Sequence, residues 1–490
     1  MRSVERGKLL LAATLALLIV TAWTGEGKAS DGDVDYRTPD TWSQHFTPGG
    51  FSDMVNGIKL TDDAVMNVGL TSRYVLRTNT SGSDSDFYQY LRADVEGFKL
   101  GSGKVYATVF WRTASDLDRN SDHSSYHYYD DILDAEISHN KSASRLYQGN
   151  ITFDNVIPMT KLTAGRLYSS HINTLQIDGA DFSVGTDKVR AYAFGGEPVS
   201  FYYGGQGDTV YGGGVEVTPL TGTKIAAEYT ALSIEGTHDD LYNIRLDKDI
   251  ITGMHLYGIY TDLNSKNAFE AGLQYRIAST KTYVRLKYKG VYNEIDLNNS
   301  YPVNPLTVTL LPYGKFNDYN VEVGQGIGRN VMVSVGAEAK DAGGEIDYDN
   351  RSYTRYYANL DLIGLPDKDT YISLTAERWV VSEDTADSVN LGPGSSSTGN
   401  DGKTQISGRI SQRIMKGLDL WAGTSYNKYT YDAQTNRMEE NARVVYLGGM
   451  WVVSKHVSLS TDLSLENASV FAADNIKDNY KVETWLNLVY

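Results

Sequence analysis

Eight histidines and a large set of carboxylates are the residues of this 490-residue chain best suited to metal or acid–base chemistry. His123 and His127 stand in SDLDRNSDHSSYHYYDD with Asp116, Asp118, Asp122, Asp130 and Asp131, an oxygen-and-imidazole set of the kind that holds a divalent cation. Their spacing matches no known metal loop, so the segment reads as a solvated acidic loop and no metal ligand is assigned. His255, between Met254 and Leu256, falls on the polar side of an alternating stretch. No GxSxG, HExxH or GxxxxGK[ST] pattern occurs, so no catalytic residue and no cofactor site is named and the chain is not read as an enzyme.

A second set of charges recurs at every other position. Arg285, Lys287 and Lys289 form a basic stripe in TYVRLKYKG, and Glu270 and Arg276 stand in the preceding NAFEAGLQYRI. Asp318 and Glu322, Glu338 and Lys340, and Arg355 and Asp361 continue the same spacing. Residues two apart on a strand share a face. On the inner wall of a water-filled pore, facing charges of opposite sign would create a transverse field that sorts ions. The plainer reading is a hydrated wall whose charges pair among themselves.

The elements that must carry these residues are strands. In NAFEAGLQYRI, Phe269, Ala271, Leu273, Tyr275 and Ile277 oppose Glu270, Gln274 and Arg276; in TYVRLKYKG, Val284, Leu286 and Tyr288 oppose the basic stripe. FYQYLRADVEGF, KVYATVFWR and HVSLSTDLSLE alternate in the same way. Segments of about ten residues with period two are the pattern of membrane-spanning strands. Connections alternate too: VSKH, MKG, LPDKD, GIGR, AST, DKDIIT and PLTGT are short, and those between them are long. A soluble sandwich would also alternate, but this short–long rhythm is that of a transmembrane barrel.

The expected fold is therefore all-β, a transmembrane antiparallel up-and-down barrel over residues 65–490. Three strands are expected between Val65 and Arg112 and fifteen from Val210 onward. An even total requires an even number between them; taking DDILDAEISHNKSASRLYQGNITF as one bulged strand, followed by KLTAGRLYS, ADFSVG and KVRAYAF, gives 22, within a range of 18 to 24. Inside the long segment from Asn293 to Gly314, LTVTLLP is too apolar to stay in water and is expected to fold inward or to meet a neighbour or the membrane rim.

The first 29 residues have a basic start, an apolar run from Leu9 to Trp23 and the small-x-small site Gly27-Lys28-Ala29, the layout of a cleavable signal peptide. Residues 30–64 are read as a short periplasmic or lumenal segment. The chain has a formal charge of −16, which disfavours nucleic acid as a partner. It has no cysteine, hence no disulfide and no haem-attachment motif of its own. Tyrosine is in surplus, 36 residues against 12 Phe and 7 Trp, and its half-polar ring suits membrane interfaces.

KVETWLNLVY places Tyr480, Val482, Leu486, Leu488 and Tyr490 on one face, with Thr484 interrupting the row, and Lys481, Glu483 and Asn487 on the other. This stretch resembles the C-terminal sorting signal of Gram-negative outer-membrane barrels, with Val482, Leu486, Leu488 and Tyr490 at the matching positions. The resemblance implies outer-membrane lipids and the barrel-assembly machinery as partners. AGRLYSSHINTLQIDGADFSV, from Ala164 to Val184, is similar to a Gly-Arg strand, outer loop and Asp-Gly segment of alginate-export-like and other substrate-selective porins. It implies a channel for small solutes and carries over no substrate and no binding residue. The chain also resembles, in size and in lacking thiols, the barrels of porin–cytochrome conduits, which implies as the alternative a sheath around a multihaem c-type cytochrome.

Overall fold

The protein is described from a computed structural model over residues 58–78, 83–117, 142–199, 208–234, 236–293, 314–343, 352–381, 402–430, 440–467 and 479–490. The expected strands are there. They are β1 Ile58–Lys59, β2 Val65–Thr78, β3 Ser83–Leu100, β4 Gly103–Asp116, β5 Ser142–Asp154, β6 Thr160–Ser170, β7 Thr174–Gly185 and β8 Val189–Pro198. There follow β9 Thr209–Leu220, β10 Thr223–Ile234, β11 Thr237–Ile251, β12 Met254–Leu263, β13 Lys266–Ile277, β14 Thr282–Val291, β15 Lys315–Ile327 and β16 Val331–Gly343. The last are β17 Tyr353–Ile363, β18 Thr370–Val381, β19 Gly402–Met415, β20 Leu418–Thr430, β21 Glu440–Ser454, β22 Val457–Asn467 and β23 Asn479–Val489.

Each strand from β2 to β23 pairs antiparallel with the next, and β23 returns to β2 in register from Gly69↔Val489 to Thr78↔Tyr480. The sheet is thereby a closed barrel of 22 strands, as the parity count expects. The two-residue β1 adds a short edge on β2. Tyr490 takes part in the closure: its N–H donates to Val68 O and the Val68 N–H to its carbonyl, both at 2.8 Å. Its ring stacks on His456 at 5.3 Å. Twenty-two strands about 4.8 Å apart and tilted by about 40° enclose a backbone cylinder roughly 40–45 Å across if round.

Alternation decides which side chain meets which medium. Leu286, Val321, Val335, Ile406 and Leu447 stand exposed on the outer face, and the polar residues between them point inward. Thr484, which breaks the apolar C-terminal row, faces Thr461 with the hydroxyls 3.4 Å apart, a cross-strand pair that satisfies two polar groups. Tyrosine departs from expectation. Some rings do mark the outer face, such as Tyr211, Tyr242 and Tyr319, but others lie along the inner wall, where a phenol has carboxylates to donate to.

The inner wall has a repeated joint. A ring from one strand lies flat over a glycine on the next. A Cβ on Gly272 would stand 2.2 Å from the Tyr257 ring, and one on Gly336 would stand 2.2 Å from that of Tyr357. The ring fills the notch that glycine leaves, and the hydroxyl reaches past it to an acid, as Tyr257 does to Glu270 at 3.0 Å. Residues 1–57, the acidic segment from 118 onward with His123 and His127, and the LTVTLLP segment lie outside the described residues, while Asp116 ends β4.

Candidate functional site

Register places the charged residues singled out in the sequence side by side on the inner wall. Glu270 on β13 faces Lys289 on β14, Lys289 faces Asp318 on β15, and Asp318 faces Lys340 on β16. Four strands thus carry a row of alternating charge. One level nearer the end of the wall that holds Tyr490, Lys287 Nζ lies 3.3 Å from Glu270 Oε1. On the next level Arg285 faces Glu322, with Nη1 and Oε2 3.3 Å apart; Glu322 also accepts from the Tyr283 hydroxyl. Arg355 on β17 bridges Glu338 at 3.2 Å and Glu377 at 2.6 Å, and its guanidinium lies over Tyr357 and Trp379. Asp361 accepts from Tyr371 at 2.6 Å. Arg276 lies across from Tyr283, in a cavity of about 700 Å³ that it shares with His255, Gln274 and Arg285.

The basic stripe of β14 therefore stands between carboxylates on both sides. Opposite charges a few ångströms apart cancel much of each other's field at a distance. Of the C-terminal residues, Leu486 and Tyr490 are exposed on the outer face, with Val482 and Leu488 in the same row. His255 meets Asp249 through Nδ1 at 2.9 Å.

A feature with no periodic trace in the sequence lies between β6 and β7. The turn at 171–173 leaves the wall and reaches β10. Glu228 on β10 accepts from Ile172 N at 3.1 Å, Asn173 N at 3.3 Å, Asn173 Nδ2 at 2.9 Å and the Tyr192 hydroxyl at 2.9 Å. β8 and β9 lie between β7 and β10, so β10 stands about 14 Å along the wall from β7. The turn bridges that distance by folding over the inner face.

Its bed explains why it can. β9 carries Gly212, Gly213 and Gly214; a Cβ on Gly212 would meet Phe194 at 2.5 Å and one on Gly214 would meet the Tyr192 hydroxyl at 2.5 Å. The two rings of β8 therefore lie against bare backbone. His171 stacks on Tyr192 with centroids 3.6 Å apart, and its Nε2 meets Asp181 Oδ2 at 2.9 Å. Ser169 donates to the same oxygen at 2.8 Å. Three of the four donors belong to the turn, and the buried Glu228 side chain thereby ties it to β10. Around it Leu167, Leu175, Ile177, Phe194, Val210 and Leu232 form a buried apolar cluster on the inner face.

The segment with the Gly-Arg and Asp-Gly dipeptides is the hairpin that carries this turn. Gly165 faces Gly179 and Arg166 faces Asp178, with Arg166 Nε donating to Asp178 Oδ1 at 2.7 Å. A second inner cluster lies at the closure. Arg73 pairs with Glu483 at 2.8 Å and lies between Tyr88 and Trp485 at 5.1 and 4.9 Å.

No protein-family model and no curated protein matches the chain. Among solved structures it is similar to OccAB3 of Acinetobacter baumannii, at 10% identity over 88% of this chain and 100% of that one, with a TM-score of 0.46. It is similar to a BenF-like porin of Pseudomonas fluorescens at 11% identity over 88% and 100%, TM-score 0.45. A third is OpdK of Pseudomonas aeruginosa, solved with vanillate, at 11% identity over 88% and 100%, TM-score 0.43.

Proposed function

We propose that the protein is a passive channel of porin type in a Gram-negative outer membrane, admitting small polar solutes. The observation that carries this reading is the turn at 171–173 folded over the inner face and held by Glu228. A round backbone cylinder of roughly 40 Å, lined by side chains alone, would still leave a wide bore. An inward turn fixed on a buried carboxylate is a device that narrows it. The apolar outer face fits hydrocarbon, and the paired charges of β13–β18 fit a wall wetted by solute and water. The test is conductance of the full chain in a planar bilayer, with release of the turn by Glu228→Gln as the variant.

A second reading draws on the same bore. A cylinder of this size also suits a sheath around a multihaem cytochrome. Haem absorbance that copurifies with the barrel, with no conductance by the barrel alone, would favour the sheath over the channel.

A further inference from the structure

The chain enters the barrel beside a concentration of positive charge. At the end of the wall that holds Tyr490, Lys99 on β3 faces Lys104 at the start of β4. Lys104 shares the inner parity of Tyr106 and Thr108, and Lys99 is its direct partner. Along the same rim Asp154 on β5 partners Lys104, and Lys161 on β6 partners Asp154. Lys188 stands in the turn before β8, and Arg190 lies on the inner parity two residues short of Tyr192. All five cations are exposed. Like charges set directly opposite each other are destabilising. Asp154 and Asp187 stand among the five and Glu96 borders them on β3, while Glu216, across from Arg190, is held by Lys224 at 2.9 Å. The group as a whole is positive.

The direction of entry bears on what covers this group. β1 pairs antiparallel with β2 through Ile58↔Met66 and Lys59↔Val65. β2 gives its other edge to β3 through the same two residues. β1 therefore lies on the edge that β23 occupies further along, where Val68 exchanges hydrogen bonds with Tyr490. Followed backward from Lys59 to Ile58, the chain runs up the wall and meets Tyr490 end-on. The residues before Ile58 have to leave the plane of the sheet there, toward lipid or toward the lumen. The turn between β1 and β2 lies against β3: a Cβ on Gly97, two residues before Lys99, would stand 2.5 Å from Asp63 O.

Sequence separates the two directions. Between the expected cleavage site and Ile58 the chain carries Asp31, Asp33, Asp35, Asp40 and Asp53 against the single arginine Arg37. Unpaired carboxylates are costly to bury in hydrocarbon, whereas the lumen side of the same rim offers exposed cations. The distances allow the contact. Lys161 on β6 lies about 19 Å along the wall from β2, and Arg190 on β8 about 29 Å. An extended chain covers roughly 3.3 Å per residue, so the carboxylates from Asp31 to Asp40 reach the whole group.

We propose that the basic group on β3–β8 is the docking surface for the chain's own acidic N-terminal segment, which lies inside this mouth of the barrel with its carboxylates from Asp31 to Asp40 against the lysines and Arg190. The occupant is fixed by its attachment beside Lys99, by its direction of approach and by its charge. This goes beyond the passage of solutes and holds whether the barrel conducts or encloses a partner.

The test is thiol crosslinking of the exported, folded chain in liposomes. The protein has no cysteine of its own, so a pair of introduced thiols reports proximity without background. Thr38→Cys is combined with Ser102→Cys in the turn between β3 and β4, or with Ser279→Cys in the turn between β13 and β14 on the far side of the barrel. A short bismaleimide joins the pair, and mass spectrometry of the digest gives the yield. At low salt the 38–102 yield should exceed the 38–279 yield about tenfold. Changing Lys99, Lys104 and Lys161 together to Glu should remove that excess. Changing Asp31, Asp33, Asp35 and Asp40 together to Asn should do the same while leaving the barrel unaltered, and serves should the lysine variant fail to fold. Salt at 1 M, where the Debye length is about 3 Å, should also remove it. Equal yields at 102 and 279 would overturn the proposal, as would a 38–102 yield indifferent to both charge variants and to salt. Crosslinks formed only between nitrogen-15-labelled and unlabelled molecules would assign the surface to a second copy and overturn it too. Conductance enters none of these readouts, so failure here leaves the channel reading standing, and failure of the channel reading leaves this one.

Discussion

Glu228 divides four donors between two oxygens, two on each. Glu228→Gln replaces one of those oxygens by an NH2 group and sets donor against donor at a buried site. Such a mismatch costs about 1–3 kcal/mol, which corresponds to roughly a 5- to 150-fold larger released fraction of the turn. Single-channel records of the variant should show correspondingly more frequent excursions to higher conductance, and unchanged traces would show that the turn does not narrow the pore. The wall joints allow a complementary test. Gly272→Ala drives a methyl into the Tyr257 ring, an overpacking cost of about 1–3 kcal/mol, and should lower the temperature at which the barrel loses its compact mobility on a gel. The notch was not legible in the sequence. A glycine on the polar face and a tyrosine on the neighbouring strand look like unrelated exceptions to alternation until register brings Tyr257 opposite Gly272.

At the scale of elements, legibility followed the physics of each interaction. Strands β13 and β14 could be read because burial in lipid on one side and water on the other imposes period two on NAFEAGLQYRI and TYVRLKYKG. The identity of the inner-wall charges followed from the same parity. Their pairing did not, because it depends on the register of separate strands, which sets Glu270 against Lys289 and Arg285 against Glu322. The turn at 171–173 was less legible still, since its contact with β10 crosses 55 residues of chain and leaves no periodic trace. The basic stripe yields a prediction at this scale. Changing Arg285, Lys287 and Lys289 together to Glu places like charges beside Glu270, Asp318 and Glu322, which is destabilising for directly opposed pairs. It also makes the wall acidic within a Debye length of roughly 10 Å at 0.1 M salt. The variant should melt earlier and shift its reversal potential toward cations, most clearly at low salt. A stable variant with the wild-type reversal potential would place the stripe away from the path of permeation.

For the molecule as a whole, closure and passage are the properties that matter. Tyr490 joins the two ends of the sheet through paired hydrogen bonds to Val68, and its ring is exposed on the outer face. Deleting it removes both bonds. Tyr490→Asp keeps the backbone but sets a charge at the rim, where the cost in lipid is only about 0–1 kcal/mol. If both variants accumulate less assembled barrel, with export across the inner membrane unchanged, the residue is read during assembly as well as used in closure; normal membrane levels of both would contradict that role. If the barrel is a channel, single-channel recording of the full chain in a planar bilayer will show discrete conductance steps with weak ion preference, and larger excursions when Glu228→Gln frees the turn. A folded, inserted barrel that passes no current, in wild type and variant alike, would rule out a channel.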